Sequence, residues 1–220
     1  MLLLALDTAT ELASLALLEG ESLLGEYALE SPGTYLERLL PAIEELLGAA
    51  GRTMDEVEAI AVSQGPGNFT GLRIGAATAK ALAWAQQRPL VAVSTLEVLA
   101  AQIPFQPHPI AVLVDAKRNE VFFGLFLCPQ DLPQGLDGPR RLPVAALPPL
   151  LTPPLVLTGP GLNRYGDFLK EHLPPSILWA PPEMRHPRAG TLARLARRFL
   201  SEGRESAPES LAPTYLRPAL

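Results

Sequence analysis

The sequence predicts an α/β protein that contains two similar halves. Three apolar segments joined by short polar turns, at Leu2–Leu6, Leu12–Leu18 and Ser22–Leu29, indicate an antiparallel meander. Strands and helices alternate further on, which is typical of a parallel sheet. An apolar run that ends in an aspartate occurs twice, before Asp7 and, about half the chain later, before Asp115. This repetition predicts a duplicated unit with one copy in each domain.

The composition is that of a globular protein with a sizeable core, because 48% of its 220 residues are apolar. The single Cys128 excludes an intramolecular disulfide and favours a cytoplasmic location. The opening apolar run is cut by Asp7 and has no basic lead, so we expect neither a signal peptide nor a membrane span. A net charge of -5 argues against a strong stand-alone nucleic-acid binder. Arg185–Arg198 is the local basic exception, and a solvated helix face is its simpler interpretation.

A cluster of three prolines between Pro104 and Pro109 predicts a domain boundary. It divides the chain into an N-terminal domain at residues 1–103 and a smaller C-terminal domain at residues 104–220. Residues 129–154 have little periodicity, which predicts irregular connections around a short helix. The tail at residues 208–220 is expected to pack back on the protein or to fray.

A glycine-rich loop follows a predicted strand in the first domain and leads into a helix. Gly65 and Gly67 allow a positive φ or a close approach by another backbone, and Asn68 or Thr70 stands where a helix N-cap belongs. The N–H groups at the start of such a helix favour an anion. These residues alone nevertheless favour a well-made loop without a ligand, because a single glycine-rich turn is not specific for an anion site.

Two helices of the first domain, at residues 34–50 and 71–86, are predicted to bind a partner. The first carries a broad apolar stripe, and the second has a small residue at every fourth position, so another helix can approach it closely. Simple burial within one domain is the alternative. The predicted interface residues are Leu36, Leu39, Leu40 and Ile43 in the first helix and Gly71, Gly75, Thr78, Ala79 and Leu82 in the second.

Motifs spread from end to end resemble those of the TsaB (YeaZ) family. They are Ala5-Leu6-Asp7-Thr8-Ala9-Thr10, Gly65-Pro66-Gly67-Asn68-Phe69-Thr70-Gly71-Leu72-Arg73-Ile74-Gly75, Val93-Ser94-Thr95-Leu96, Val114-Asp115-Ala116 and Tyr215-Leu216-Arg217. The resemblance implies the actin-like ATPase and sugar kinase (ASKHA) fold, with two βββαβα-like domains. It also implies a non-catalytic bacterial protein that is required for making threonylcarbamoyladenosine beside the anticodon of certain tRNAs.

The resemblance further implies a set of partners. They are a catalytic TsaD-type metalloenzyme as heterodimer partner, a TsaE-type ATPase, and tRNA through the assembled complex; no membrane is implied. The paired stripes of the two helices predict in addition that a second copy of the chain binds the same surface in a weaker homodimer. The TsaD enzyme carries a His-x-x-x-His metal motif, whereas His108, His172 and His186 lie far apart in this sequence. We therefore expect no metal site and no catalytic residue. A stand-alone ATP-dependent phosphotransferase or carbamoyltransferase of the same fold is the alternative.

Nucleotide binding is the remaining question, because two hairpins hold the phosphates in the wider fold. The candidate residues for a weak or vestigial nucleotide site are Asp7, Thr8, Thr10, Gly65, Gly67, Thr70 and Asp115. Local turn capping is the alternative role for the Asp and Thr residues. The second hairpin, Asp115–Glu120, contains no glycine, and Glu120 would repel a phosphate. We therefore expect no cofactor for this chain alone, and nucleotide only in the assembled complex.

Overall fold

The computed structural model describes residues 1–30, 35–206, 211, 212 and 214, without the side chains of residues 30 and 35–37. The described residues form two compact units. The first contains Met1–Thr95 and Pro187–Thr214, and the second contains Leu96–His186. This division differs from the predicted boundary after residue 103, because the C-terminal segment returns to the first unit.

The sheet of the first unit has five strands in the order β3-β2-β1-β4-β5. These strands are β1 (Leu2–Asp7), β2 (Leu12–Glu19), β3 (Ser22–Glu30), β4 (Ala59–Gly65) and β5 (Leu90–Ser94). The first three form the antiparallel meander, and β1, β4 and β5 run parallel to one another, as the sequence predicts. β1 is the central strand and is buried along its whole length, which explains its continuous apolar run.

Three helices cover this sheet: α1 (Tyr35–Ala49), α2 (Phe69–Ala85) and α5 (Ala189–Ser201). The first two correspond to the helices predicted at residues 34–50 and 71–86, and α1 continues through Pro41. Ile43 and Leu46 of α1 lie in the core with Leu4 and Leu6 of β1. Leu211 belongs to the same core, so this part of the C-terminal tail packs on the first unit.

The sheet of the second unit has the order β10-β9-β6-β7-β8, which repeats the first arrangement. Its strands are β6 (Gln106–Asp115), β7 (Glu120–Cys128), β8 (Gln134–Pro143), β9 (Val156–Thr158) and β10 (Leu178–Trp179), and its helices are α3 (Thr95–Ala101) and α4 (Gly161–His172). Again three strands form an antiparallel meander and the next two are parallel. The duplication inferred from the repeated Asp pattern therefore extends to the topology.

Two features of the second unit depart from the predictions. The irregular segment at residues 129–154 in fact contains β8, an exposed edge strand whose register with β7 shifts twice. Short 3-10 turns at Val144–Ala146 and Pro148–Leu150 stand where the first unit has α1. The prolines of the predicted boundary also lie partly inside β6, where an irregularity between Gln106 and Ile110 accommodates them.

The start of α5 is held by two strands of the first sheet. The Ala189 N–H donates to Ser14 Oγ of β2 at 3.0 Å, and the Gly190 N–H donates to Glu26 Oε1 of β3 at 2.8 Å. Arg188 also donates to Glu26 Oε2, from its terminal nitrogen at 2.6 Å. Helix N-termini leave backbone N–H groups without helical partners. Here strand side chains accept from them, which fixes α5 on the sheet.

Replacing Glu26 should therefore weaken the first unit. We expect Glu26→Ala to lower the free energy of unfolding by about 2 kcal/mol, because the Gly190 N–H and the Arg188 guanidinium lose their acceptor. Glu21→Ala is the matched control, since it removes an exposed pair with Arg197 and should cost less than about 0.5 kcal/mol. Urea denaturation followed by circular dichroism measures both, and equal losses would contradict this role of Glu26.

Candidate functional site

The candidate site in the first unit is formed by the turn after β1 and the loop before α2. Asn68 caps α2, because its Oδ1 accepts from the Gly71 N–H at 3.1 Å. The Asn68 N–H in turn donates to Ala9 O at 2.7 Å, and Thr8 Oγ1 donates to Gly71 O at 2.7 Å. Two of these hydrogen bonds, from Asn68 to Ala9 and from Thr8 to Gly71, thus fasten the turn to the loop and to the first turn of the helix.

The glycines of this loop and helix are needed for contact with the chain itself. A Cβ at Gly67 would lie 2.1 Å from Ala9 O, and one at Gly71 would lie 2.1 Å from Thr8 O. A Cβ at Gly75 would lie 2.2 Å from Thr8 Oγ1. The small face of α2 therefore receives the turn after β1, and Ala79 on the same face is 0% exposed. This packing corrects the prediction that Gly71, Gly75 and Ala79 contact a partner, since the chain already covers them.

The start of the loop is also in contact with the C-terminal tail. Gly65 has a φ of +103°, a conformation that favours glycine, and a Cβ there would lie 3.1 Å from Thr214 O. The Thr214 N–H donates to Gln64 O at 2.6 Å. Thr70, in contrast, is exposed at the start of α2, and Thr10 Oγ1 donates to Leu12 O at 3.2 Å within its own turn. The backbone of the loop is thus held from both sides by its own chain.

Asp7 at the end of β1 is 0% exposed and has an unusual environment for a carboxylate. Its Oδ1 accepts from the Ala9 N–H at 3.0 Å. Burial raises the pKa of Asp7 to about 7, although the Ala9 N–H and the nearby Ser63 hydroxyl act to lower it. Neither Asp7 Oδ2 nor Ser63 Oγ has a partner at hydrogen-bonding geometry in the parts of the chain that the structure describes. Burial therefore favours the protonated form of this carboxyl group far more than at an exposed aspartate.

Asp115 occupies the equivalent position in the second unit, and its pKa is shifted in the opposite direction from that of Asp7. Its Oδ1 accepts from the Lys117 N–H at 2.8 Å and from the Tyr165 hydroxyl at 2.9 Å. Its Oδ2 lies 3.0 Å from Lys117 Nζ and 3.5 Å from a terminal nitrogen of Arg164. Partial burial acts to raise the pKa of Asp115, but the hydrogen bonds from Lys117 and Tyr165 outweigh it and lower the pKa. Asp115 is therefore a stable anion that holds two cations.

The surface of α1 and α2 exposes a different set of residues from the one predicted. Leu39 and Ile43 are buried in the core, Thr78 and Leu82 are half-buried, and the side chain of Leu36 lies outside the described residues. Leu40 is 52% exposed, Phe69 is 43% exposed and Trp84 is 77% exposed. The guanidinium of Arg73 lies 3.7 Å from the centre of the Phe69 ring. We call the exposed set the outer helix face; it comprises Leu40, Phe69, Arg73, Ala77, Ala81 and Trp84.

Sequence reasoning missed most of the outer helix face, although a signal was available. Phe69, Arg73, Ala77 and Ala81 recur every fourth residue, just as the buried glycines do. Two faces of α2 therefore repeat at the same spacing, one made of small residues and the other containing Phe69 and Arg73. Only the contact with Thr8 and Ala9 decides which of them points inward.

The basic stretch near the C-terminus is largely engaged in contacts. Arg188 pairs with Glu26, Arg197 with Glu21 at 3.1 Å and Arg198 with Glu202 at 2.7 Å. Arg185 donates to Ala180 O at 2.9 Å. These contacts agree with the interpretation of this stretch as a solvated helix face, and they add that several of its arginines are ion-paired.

Metal ligands and membrane spans were also sought in the described parts of the chain. Within residues 1–30, 35–206, 211, 212 and 214, no group of three His, Cys, Asp or Glu side chains could hold a metal ion. His172 contacts Phe168 O, and His186 contacts the Asn163 side chain. None of the helices in these ranges is long and apolar enough to cross a membrane.

Comparison with known proteins identifies the family. A Bacillus subtilis (strain 168) protein named tRNA threonylcarbamoyladenosine biosynthesis protein TsaB is 30% identical over 221 residues, which cover 99% of this chain and 94% of the relative. This chain belongs to the TsaB family. YeaZ from Pseudomonas aeruginosa is a TsaB-like solved structure with 32% identity and a TM-score of 0.82, covering 98% of this chain and 99% of that one. The resemblance seen in the motifs is therefore confirmed, and it assigns the chain to threonylcarbamoyladenosine biosynthesis.

Two further comparisons concern the fold. The family model of TsaD, described as tRNA N6-adenosine threonylcarbamoyltransferase, matches residues 32–127 of this TsaB-family chain. The activator of the 2-hydroxyisocaproyl-CoA dehydratase from Clostridium difficile, solved with ADPNP, has a TM-score of 0.52 at 13% identity. It covers 92% of this chain and 97% of its own, so the likeness is one of fold alone. The predicted actin-like ATPase and sugar kinase fold is confirmed.

The contact between the turn and the glycines predicts a specific loss of stability. We expect Gly71→Ala to lower the free energy of unfolding by about 3 kcal/mol, because the new methyl group meets the Thr8 carbonyl oxygen. Gly48→Ala in α1 is the matched control. It has nothing within 4 Å of its added Cβ, and it should be neutral or stabilise by up to about 1 kcal/mol. Thermal or urea unfolding of both variants checks this, and equal stabilities would contradict the packing.

The raised pKa of Asp7 predicts a pH-dependent effect of Asp7→Asn. Between the usual pKa of 3.8 and the folded pKa of about 7, the folded state binds more protons than the unfolded state. The stability of the wild-type chain therefore falls as the pH rises through this window, by up to about 4 kcal/mol for this group. The substituted asparagine cannot ionise, so the stability of the variant relative to wild type should increase from pH 4 to pH 7 and then level off.

Urea denaturation at several pH values between 4 and 8 measures this difference. Asp167→Asn, at an exposed carboxylate of α4, controls for the loss of a negative charge. A difference between Asp7→Asn and wild type that stays constant across the pH range would contradict the raised pKa.

Proposed function

We propose that this chain is a non-catalytic subunit of the threonylcarbamoyladenosine machinery, which heterodimerises with a TsaD-type threonylcarbamoyltransferase. In this role it is required for modifying the tRNA adenosine beside the anticodon. The observation that carries the proposal is the outer helix face, where Leu40 of α1 and Phe69 and Trp84 of α2 expose large apolar side chains. Large apolar side chains that two helices of one unit expose are candidates for a protein interface.

The packing of the glycine loop supports a role other than phosphate transfer. A phosphate-binding loop presents its backbone to the ligand, and its glycines permit that approach. In this chain the positions that a Cβ would take at Gly67 and Gly71 are blocked by Ala9 O and Thr8 O instead. We infer that Asp7, Thr8 and Thr10 serve as structural residues and that nucleotide enters only with the assembled complex.

The TsaD family match supports the choice of partner. It covers residues 32–127, which include α1, β4, α2 and β5. A partner with the same fold would carry helices equivalent to α1 and α2. Two copies of one surface can pair about a two-fold axis, and related chains can do so about a pseudo-two-fold axis. The outer helix face would then serve both the heterodimer and a weaker homodimer, while a TsaE-type ATPase and tRNA join the assembled complex.

A charge on the outer helix face should abolish the heterodimer without unfolding the chain. We expect Ala81→Arg to weaken binding to the TsaD-type partner at least about tenfold, because an exposed small residue becomes a long cation inside an apolar contact. Ala145→Arg, at an exposed alanine of the second unit, is the matched control and should bind normally.

Size-exclusion light scattering of each mixture, followed by a threonylcarbamoyl-transfer assay on tRNA, tests the proposal. Transfer activity should require both proteins and should fall with Ala81→Arg. Transfer by this chain without its partner would overturn the non-catalytic role. Normal heterodimers with Ala81→Arg would overturn the assignment of the outer helix face.

A further inference from the structure

The turn between β6 and β7 has a backbone that its residues do not favour. Lys117, Arg118 and Asn119 all adopt left-handed conformations, with φ of 62°, 55° and 59°. The turn is closed by hydrogen bonds from the Ala116 N–H to Glu120 O and from the Glu120 N–H to Lys117 O, each at 3.0 Å. The Val144 N–H also donates to Asn119 O at 2.9 Å. The tip of this hairpin is therefore fixed in a single shape.

Lys117 and Arg118 occupy positions where glycine or asparagine would be more stable. A left-handed conformation is unfavourable for L-residues with a Cβ, whereas glycine adopts it freely and asparagine tolerates it. Asn119 fits this preference, but the two cations before it do not. Strained backbone of this kind concentrates at functional sites, where stability is exchanged for another property. The property that Lys117 and Arg118 add at the tip is positive charge.

The charges around the tip do not cancel. Asp115 is neutralised by Lys117 and Arg164, and Glu120 Oε1 lies 3.5 Å from Arg141 Nε. Arg118 is exposed, and no hydrogen bond or ion pair joins its side chain to any other residue in the parts of the chain that the structure describes. Among the described residues, Asp115–Glu120 with Arg141 and Arg164 contain four cations and two carboxylates, a formal charge of +2, on a chain whose net charge is -5. We call Asp115–Glu120 with Arg141 and Arg164 the cationic hairpin.

We propose that the cationic hairpin contacts the phosphate backbone of the RNA substrate, with Arg118 as the principal contact and Lys117 and Arg164 beside it. The proposal rests on the proposed function, which makes tRNA the substrate of the complex. The guanidinium group of arginine matches the geometry of phosphate oxygens. Pockets for small ligands are concave. The exposed residues Lys117, Arg118 and Asn119 at the hairpin tip instead suit an extended polyanion that lies across them.

Asp115 acts as a positioning residue in this arrangement. It accepts from the Lys117 N–H and the Tyr165 hydroxyl through Oδ1, and it contacts Lys117 Nζ and Arg164 through Oδ2. Arg118 then projects from a turn whose preceding residue is fixed. In contrast, the arginines Arg197 and Arg198 of α5 are paired with glutamates.

Arg118→Asn tests the proposal because it removes the charge and keeps a residue that tolerates the turn. In equilibrium titrations of an unmodified tRNA transcript with the assembled complex, we expect the affinity to fall about three- to tenfold at low salt. The slope of log affinity against log salt concentration should shrink by about 1. The urea midpoint of the variant should rise, since the strain is relieved. Arg198→Gln is the matched control, which removes one paired cation from α5 and should leave tRNA affinity unchanged.

Each other result has a defined meaning. Unchanged tRNA affinity and salt slope for Arg118→Asn would overturn the proposal. So would a loss of heterodimer formation with unchanged tRNA binding, which would point to an acidic protein surface, or a loss of ATP binding alone, which would point to a small phosphate ligand. Light scattering of the wild-type samples reports separately on the proposed function. If no heterodimer forms, that function fails. The same titrations on the full chain alone then decide the role of the hairpin, and a wild-type chain that does not bind tRNA in them would overturn the hairpin proposal as well.

Discussion

The close approach of the turn after β1 to the glycines of α2 is the contact on which the first unit depends. Gly67, Gly71 and Gly75 leave space that Thr8 and Ala9 occupy, and a side chain at any of the three would meet an oxygen atom of that turn. The helix is thereby pinned against the end of the central strand. Because this contact sets the rotation of α2 about its axis, it also determines that Phe69, Ala77 and Trp84 lie outward.

The sequence alone could predict the elements that local physics specifies. The continuous apolar run of β1, the Asn68 cap and the repeated Asp after a strand each depend on neighbours in sequence, and all correspond to observed features. The direction of the small face of α2 could not be predicted, because small residues suit a strand turn and a partner helix equally well. The contact of Glu26 with Arg188 joins residues 162 positions apart, so a local sequence pattern cannot predict it. Likewise β8 is an exposed edge strand, which carries little hydrophobic periodicity.

The two halves share a topology and differ in what their equivalent turns do. In the first half Gly67, Gly71 and Gly75 pack against the turn after β1, so Thr8 and Ala9 are buried. In the second half Gly159 and Gly161 lie against the carbonyl oxygen of Leu113. Leu113 belongs to β6 and precedes Asp115 by two residues. These glycines thus pack against the strand rather than against the following turn. In that turn Ala116 is buried, whereas Lys117, Arg118 and Asn119 are exposed.

This difference explains why Asp7 is fully buried whereas Asp115 is ion-paired. Asp7 lies beneath a turn that the helix covers, so desolvation dominates and favours its protonated form. Asp115 lies beside an open turn, where Lys117 and Arg164 can reach it and favour its charged form. A carboxylate that stays charged can hold cations in place, whereas a carboxyl group near its pKa cannot do so reliably. The second half can therefore display a fixed positive surface, while the first half uses its equivalent turn to set the rotation of α2 and thereby the outer helix face.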